Sequence, residues 1–203
     1  ATTSAELNTA GANLVGVVSG DSVNLSAVGA VGVFSSPTVG ATKAVSVSGL
    51  TLSGNQAWKY SLVPPAGLTA AITAKALTVS GLSGVNKSYD RTTAATVSGS
   101  AALSGVISSD TVTLGGTPVF TFASANVGAG ITITTTGYTL SGDQALNYTL
   151  TQPATTADIT PKSLAVTGAS ASNKVYDGTT VATVSYSGAA LAGVVIGDTL
   201  NLV

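Results

Sequence analysis

Aspartates and tyrosines that return at nearly constant spacing are the first candidates for a functional site in this sequence. One set of aspartates closes a glycine-containing apolar block, and a second set follows a tyrosine: Asp21, Asp110 and Asp198, then Tyr89-Asp90 and Tyr176-Asp177. Calcium binds six to eight oxygens, usually from carboxylates close together in sequence. Each aspartate here stands alone, which favours a turn whose Asp side chain bonds to nearby backbone N–H groups. A calcium site between strands or modules is the alternative.

Catalytic chemistry has few side chains available to it. The sequence contains no Cys, His or Met, so thiolate chemistry, imidazole catalysis and the usual zinc ligands are excluded. Ser and Thr are abundant, but no motif places a general base beside any of them. We therefore expect a non-catalytic protein without a bound cofactor.

Lysines also recur in register with the aspartates. A lysine beside an asparagine and an acid could form an isopeptide cross-link, whereas the ordinary interpretation is a surface or hinge lysine. The matched lysines are Lys75 with Lys162 and Lys87 with Lys174, and the available partners include Asn86, Asn147, Asp158 and Asp177.

The recurring aromatic residues raise the question of a sugar-stacking surface. Four tyrosines recur by repeat: Tyr60, Tyr89, Tyr148 and Tyr176. Tyr60 and Tyr148 alternate with leucines along their segments, which favours core positions for these tyrosines and a hydroxyl bonded to the backbone. Trp58, whose counterpart is Leu146, is expected to pack in the core or at a hinge. A local binding contact is the alternative for this Trp.

Composition limits the class of protein. Of the 203 residues only 7% are charged, and the net charge is −1, so a nucleic-acid surface lacks its electrostatic source. The longest nearly continuous apolar stretch, Ala189–Ile196, is far shorter than the roughly 20 residues that a membrane-spanning helix needs. The opening Ala1-Thr2-Thr3 shows no targeting signal, so we expect an internal or processed fragment.

Four sequence blocks return in constant order after 87–89 residues. Tyr89 matches Tyr176 (176 − 89 = 87), Tyr60 matches Tyr148 (148 − 60 = 88), and Leu14 matches Leu103 (103 − 14 = 89). Such a period is a domain-sized unit and not a solenoid turn. The repeat predicts a first module at 1–76 that lacks its opening strands, a complete second module at 77–163, and a partial third module at 164–203.

Short segments of alternating apolar and polar residues predict β-strands. In the second module we expect strands near 76–80, 85–89, 94–98, 111–115, 118–122, 131–136, 146–151 and 156–160, separated by turns at Gly81, Ser83-Gly84, Ser104-Gly105, Gly115-Gly116, Gly128–Gly130 and Ser141–Asp143. This pattern is typical of an all-β, Ig-like sandwich. The segment 157–166 reads as one strand continuing across Pro161, so the modules should form an extended tandem array.

Two blocks carry a resemblance to a known family. The motif Lys174-Val-Tyr176-Asp177-Gly178-Thr-Thr, with Gly197-Asp198 after it, and the block 140–150, Leu-Ser-Gly-Asp-Gln-Ala-Leu-Asn-Tyr-Thr-Leu, resemble the YDG repeat. This module occurs in filamentous-haemagglutinin-like and related bacterial surface adhesins. The resemblance covers essentially the whole chain and implies export, a cell-surface or extracellular location, and a role in adhesion or as a stalk. It implies no catalytic residues.

One position departs from the family motif. The second repeat reads Tyr89-Asp90-Arg91, so Arg replaces the Gly found at Gly178. If this Gly adopts a positive φ, Arg91 costs about 1 kcal/mol there. The Gly would then ease a turn and perform no chemistry.

These observations favour a repetitive extracellular stalk or filament region whose partners are neighbouring repeats and, through self-association, a filament or matrix. The alternative is that the modules themselves bind a glycan or a host-surface protein. A third hypothesis concerns the first module, which lacks the strand that residues 86–90 and 173–177 supply to the others. A strand from a neighbouring chain would fill such a gap by β-augmentation.

Overall fold

The computed structural model describes residues 2–202 and confirms an all-β fold. The strands are β1 (Ser4–Ala5), β2 (Asn24–Ser26), β3 (Val31–Phe34), β4 (Gly40–Ser48), β5 (Thr51–Ser53), β6 (Thr69–Ile72), β7 (Lys75–Gly84), β8 (Lys87–Ser88), β9 (Val97–Ser104), β10 (Thr113–Phe122), β11 (Gly128–Ser141), β12 (Tyr148–Thr151), β13 (Ala154–Thr160), β14 (Ala165–Thr167), β15 (Ser170–Ala171), β16 (Val184–Ser185) and β17 (Ala190–Ala192). Single 3-10 turns lie at Ala57–Lys59 and Ala145–Asn147. Over residues 2–202, no helix combines the length and the apolarity needed to cross a bilayer.

The strands pair into several small sheets. Two sheets have four strands, in the orders β1-β3-β4-β6 and β10-β11-β13-β8, and a third has the order β12-β7-β9. Two-stranded sheets join β2 with β5, β14 with β17 and β15 with β16. Strand β8 runs parallel to β13, with Lys87 opposite Ile159, whereas β13 runs antiparallel to β11.

The period-2 pattern of the sequence sets the faces of β11. Ile131, Ile133 and Thr135 point inward along this strand, while the threonines between them are exposed. Across the ladder, Ile131 stands opposite Ala157. Alternation therefore correctly identified the buried face.

The core of the second repeat lies beneath this ladder. Its fully buried members come from three strands: Phe122 from β10, Ile133 from β11, and Ala157 and Ile159 from β13. Tyr89, Ala95, Phe120 and Ile131 pack against them. Burial of large apolar side chains supplies most of the stabilisation of such a small sheet.

Four of the predicted turns are wrong, because the glycines lie inside strands. Gly81 lies within β7 and Ser83-Gly84 at its end, Gly115-Gly116 lies within β10, and Gly128–Gly130 lies at the start of β11. A single strand, β10, replaces the two strands expected at 111–115 and 118–122. Gly128–Gly130 marks a register shift in the β11–β13 ladder, so these glycines deform strands without ending them.

The close approach of two backbones explains why β7 contains a glycine. Gly81 has φ +86, and a Cβ atom added there would lie 2.3 Å from the carbonyl oxygen of Ser100. Gly99, on β9, shows the converse: its added Cβ would lie 2.1 Å from the oxygen of Gly81. Only paired glycines permit this contact between the two strands.

Three further strand predictions differ from the structure. The strand expected at 94–98 begins at Val97 and continues to Ser104. The strand expected from 146 begins at Tyr148, because Ala145–Asn147 forms a 3-10 turn. The continuous strand expected across Pro161 is interrupted, since β13 ends at Thr160 and β14 begins at Ala165. Proline has no N–H to donate to a ladder.

The chain divides into two compact units. One comprises Ala1–Leu77, Ser104–Leu114 and Leu140–Thr151; the other comprises Thr78–Leu103, Gly115–Thr139 and Gln152–Val203. Each unit draws residues from more than one sequence repeat. The module boundaries at 1–76, 77–163 and 164–203 remain a prediction.

Candidate functional site

The Tyr-Asp motif forms the same turn in two repeats. In the second repeat the Lys87 Nζ donates to Asp90 Oδ1 at 2.8 Å and to the carbonyl oxygen of Thr92 at 2.7 Å. The backbone N–H of Thr92 donates to the same Asp90 oxygen at 2.8 Å. The carboxylate thus holds both a lysine and a backbone amide, and the lysine closes the turn.

The third repeat reproduces these bonds with its own residues. Lys174 Nζ lies 2.9 Å from Asp177 Oδ1 and 2.7 Å from the carbonyl oxygen of Thr179. The Thr179 N–H donates to Asp177 at 3.0 Å. We call Lys87–Asp90–Thr92 and Lys174–Asp177–Thr179 the motif turns.

The electrostatics of the motif turns follow from these bonds. Hydrogen bonds from Lys87, and then from Thr92, lower the pKa of Asp90 to about 2. The bond from Lys174 lowers the pKa of Asp177 in the same way. Lys87 Nζ also lies 5.5 Å from the centre of the Phe122 ring, so it connects the turn to the core beneath it.

The position after the motif aspartate has the backbone conformation that the sequence suggested. Gly178 has φ +74, and Arg91 has φ +64, alone among the non-glycine residues that the structure describes. Arg91 Nε lies 3.4 Å from Asp198 Oδ1, and its Nη1 donates to the carbonyl oxygen of Ile196 at 3.4 Å. The side chain therefore makes contacts that Gly178 has no atoms to make.

A second recurring arrangement joins a tyrosine to an aspartate far away in sequence. The Tyr60 hydroxyl donates to Asp21 Oδ2 at 2.6 Å and accepts from the Val18 N–H at 3.1 Å. In the second repeat the Tyr148 hydroxyl donates to Asp110 at 2.7 Å and accepts from the Ile107 N–H at 3.2 Å. We call these pairs the tyrosine locks.

The tyrosine locks shift the pKa values of both tyrosines and of Asp21. The bond to Asp21 raises the pKa of Tyr60, and the bond from Tyr60 lowers the pKa of Asp21. Burial, followed by the bond to Asp110, raises the pKa of Tyr148. The Tyr60–Asp21 lock is therefore strongest with a neutral tyrosine and an ionised aspartate, and the Tyr148 lock is strongest with a neutral tyrosine.

Sequence reasoning anticipated the bond between each lock's tyrosine hydroxyl and the backbone, but it missed the aspartate. It assigned Asp21 and Asp110 to turns, whereas each accepts a bond from a tyrosine hydroxyl about 39 positions later. The signal was present in the constant spacing of Asp and Tyr within both repeats. A matched glutamine supports each lock: Gln56 accepts from the Ser22 N–H, and Gln144 accepts from the Thr111 N–H.

The remaining members of the recurring set lie in different surroundings. Asp198 accepts from the Tyr89 hydroxyl at 3.3 Å, and burial raises the pKa of Tyr89. Tyr176 is 94% exposed, so the core position expected for it is wrong.

Trp58 is also exposed, contrary to the expected core or hinge position. Its side chain is 81% exposed on the single turn Ala57–Lys59, and its counterpart Leu146 is equally open on the second turn. Ala57 and Ala145 are half-buried, and each follows a half-buried glutamine. One turn of 3-10 helix cannot bury all of its side chains.

An open apolar groove of about 460 Å³ lies in the first repeat. Its lining includes Leu14, Val17, Leu25, Leu52, Tyr60 and Leu62. Tyr60 has an extended backbone, yet residues 60–68 form no strand. Such a groove suits an extended apolar peptide segment and contains no pair of titrating groups arranged for catalysis.

The structure also places the candidates for metal binding and cross-linking. Within residues 2–202, no three Asp, Glu, His or Cys side chains gather as ligands for a metal. Lys87 Nζ faces oxygens of Asp90, Thr92 and Ala94, while Asn86 bonds to Asp158. The isopeptide interpretation thus lacks a facing Lys and Asn at this position.

Comparison with known proteins gives one family. The model of the YDG domain matches residues 1–68, 73–157 and 160–203, three segments that follow the sequence repeat. No curated protein and no solved structure matches the chain. Because the family model covers nearly all of the sequence, the chain belongs to the YDG domain family.

Proposed function

We propose that the chain is a non-catalytic, repetitive structural region of an extracellular bacterial surface adhesin or filament. The observation that carries the proposal is that the recurring polar residues bond to one another within the protein. The Asp90 and Asp177 carboxylates each hold a lysine and a threonine, and two tyrosine hydroxyls each hold an aspartate. Recurring polar side chains that bond to one another stabilise a module, and few of them are left to bind or activate a substrate.

The same proposal includes the architecture. Tandem Ig-like sandwiches in an extended array, similar to the modules of filamentous-haemagglutinin-like adhesins, are compatible with the three family matches in series. The duplicated tyrosine locks support it, because equivalent bonds recur in successive repeats. We propose no cofactor, and neighbouring repeats as the first partners of each module.

The low charge of the chain supports weak lateral association in place of charge-steered recognition. Charged residues make up 7% of the sequence, and the net charge is −1. The exposed faces of β11 are rich in threonine, which gives a neutral, hydrogen-bonding surface. Such surfaces suit a stalk or matrix.

Surface labelling tests the location. Antibodies against the chain should label intact cells of the source bacterium as strongly as permeabilised cells. Labelling that requires permeabilisation would contradict an extracellular stalk.

Glycan or host-protein binding is the second candidate function, and the exposure of Trp58 favours it. This Trp is the single one in the sequence, so quenching of its fluorescence reports on this position alone. The stalk proposal predicts no saturable quenching across a glycan panel or with host matrix proteins. Saturable quenching, accompanied by binding in titration calorimetry that Trp58→Ala abolishes and Leu146→Ala leaves intact, would favour the binding module instead.

A further inference from the structure

Two sets of polar contacts join a sequence repeat to the one that follows it. The Val39 N–H of the first repeat donates to Asn147 Oδ1 of the second at 3.0 Å. The Tyr89 hydroxyl of the second repeat donates to Asp198 Oδ1 of the third at 3.3 Å. The partners lie 108 and 109 positions apart, which exceeds the repeat period of 87–89 residues, so both contacts cross from one repeat to the next.

The first contact reaches the tyrosine lock of the second repeat. Asn147 directly precedes Tyr148, whose hydroxyl is bonded to Asp110 in that lock. Pro37 and Val39 of the first repeat line one small cavity together with Asp110, Asn147 and Tyr148. The first repeat therefore lies directly against the lock of the second.

The second contact reaches the corresponding aspartate of the third repeat. Asp198 is the counterpart of Asp110, 88 positions later (198 − 110 = 88). Arg91 Nε lies 3.4 Å from Asp198 Oδ1, the oxygen to which Tyr89 also donates. Arg91 Nη1 donates to the carbonyl oxygen of Ile196 at 3.4 Å. The second repeat therefore binds both a side chain and the backbone of one short segment of the third.

One aspartate has enough acceptor positions for a lock and for this contact. Tyr148 donates to Oδ2 of Asp110, and the lock of the first repeat uses the same oxygen of its aspartate. Tyr89 and Arg91 instead approach Oδ1 of Asp198. Because an ionised carboxylate offers acceptor positions on both oxygens, the contact with the preceding repeat does not compete with a tyrosine lock.

Arg91 and Gly197 fit one another across the second contact. Gly197 has φ +94, and a Cβ atom added there would overlap the Arg91 guanidinium. The matched position in the second repeat is Ser109, which has a side chain. Arg91 is the single arginine of the sequence, and it has the positive φ that its glycine counterpart, Gly178, adopts without strain. The strained conformation of Arg91 is thus accompanied by a contact with the third repeat.

We infer that the tyrosine-lock positions of one repeat form the docking site for the preceding repeat. Asn147 receives the first repeat, and Asp198 receives the motif turn of the second. Each contact lies inside a single compact unit, which accounts for the presence of two repeats in each unit. The inference goes beyond the proposed stalk, because it concerns how repeats are held together and stands whether or not the chain is exported.

Two spin labels on the full chain test whether Arg91 holds the third repeat. The sequence contains no cysteine, so Val119→Cys and Ala190→Cys place labels only at these two exposed strand positions, one in each repeat. We expect a narrow distribution of label distances. Arg91→Ala should lower the ratio of the narrow to the broad component about two- to fivefold, because its ion pair with Asp198 is partly exposed. Added salt should lower the ratio in the unmodified chain and leave that variant unchanged.

Lys162→Ala is the matched control for the loss of charge. It removes one positive charge from the segment between β13 and β14, and Lys162 forms no ion pair within residues 2–202. This variant should give the same distribution as the unmodified chain. A narrow distribution that survives Arg91→Ala, or an equal loss in Lys162→Ala, would overturn the docking role of Arg91 and Asp198.

Exchange of a single amide tests the first contact without labels. Asn147→Ala should speed exchange of the Val39 N–H, whereas Asn147→Asp retains an acceptor oxygen and should keep this exchange slow. The Ser35 N–H, which donates to the carbonyl oxygen of Ala44 within the first repeat, should stay protected in both variants. Exchange at Val39 that remains equally slow in Asn147→Ala would refute the inference, because the second repeat would then not receive the first at its lock.

Discussion

At the scale of single residues, the family motif stabilises a turn through hydrogen bonds among its own side chains and backbone. The tyrosine, the aspartate and the residue after them were identifiable from the sequence because they recur. Their roles were only partly predictable from the sequence. The Asp turn and the positive φ were expected, and Thr92 bonds to Asp90 as the turn requires. The role of the lysine that closes the turn was not expected, because a spacing of three residues does not reveal that the lysine side chain will bond to the aspartate.

Arg91 provides a test of backbone strain at the motif. Arg91→Gly and Arg91→Ala both remove the guanidinium and its bonds to Asp198 and Ile196. Only the glycine variant relieves the positive φ of +64. We expect the glycine variant to be more stable than the alanine variant by about 1 kcal/mol. Urea unfolding measures the difference, and an alanine variant of equal or greater stability would disprove the strain.

The shifted aspartates predict how stability depends on acid. Because the bond from Lys87 lowers the pKa of Asp90 from 3.8 to about 2, folding favours the ionised carboxylate. This contribution is complete above pH 4 and is lost as pH falls through 2. The melting temperature should therefore decline between pH 4 and pH 2, and less steeply in Asp90→Asn. An unchanged slope in that variant would contradict the assignment.

At the scale of elements, the alternation of apolar and polar residues located the strands. The strand ends predicted from glycines were wrong in several places. Ile131 and Ile133 face inward as their period of two indicated. Gly81 reads as a turn because a lone glycine between apolar segments usually ends a strand. Its actual function depends on the approach of Ser100 from another strand, which is a tertiary contact that no local pattern contains. The bonds between tyrosine and aspartate in the tyrosine locks were missed for the same reason.

Two glycines of the second repeat separate close approach from backbone conformation. Both Gly81 and Gly130 have positive φ, but a Cβ atom at Gly81 would lie 2.3 Å from a carbonyl oxygen, whereas one at Gly130 meets nothing within 4 Å. Gly130→Ala should cost about 1 kcal/mol of unfolding free energy. Gly81→Ala should cost about 1–3 kcal/mol more, because β7 and β9 must move apart. Equal losses in chemical denaturation would show that the strands do not approach so closely.

At the scale of the whole molecule, the repeats are alike in sequence and unequal in burial. The second repeat has a buried cluster of Phe122, Ile133, Ala157 and Ile159, while the first-repeat counterparts, Phe34, Val45, Ala70 and Ile72, are half-buried or exposed. The sequence period predicts three modules in series. It could not predict this inequality, because burial depends on tertiary contacts such as the packing of Tyr89 and Ala95 against the second-repeat cluster.

Hydrogen exchange on the dilute chain should therefore reveal a hierarchy of local stability. Amides of β11 and β13 lie over the buried cluster and should exchange slowest, whereas residues 60–68, which form no strand, should exchange within the fastest class. Ile133→Ala removes a completely buried side chain and should cost about 2–5 kcal/mol, with protection of β11 lost. Val45→Ala, at the half-buried counterpart, should cost less and leave β11 protected, because Val45 does not belong to the cluster. Equal protection of both repeats, or equal losses in the two variants, would mean that the first repeat owns a core as complete as that of the second.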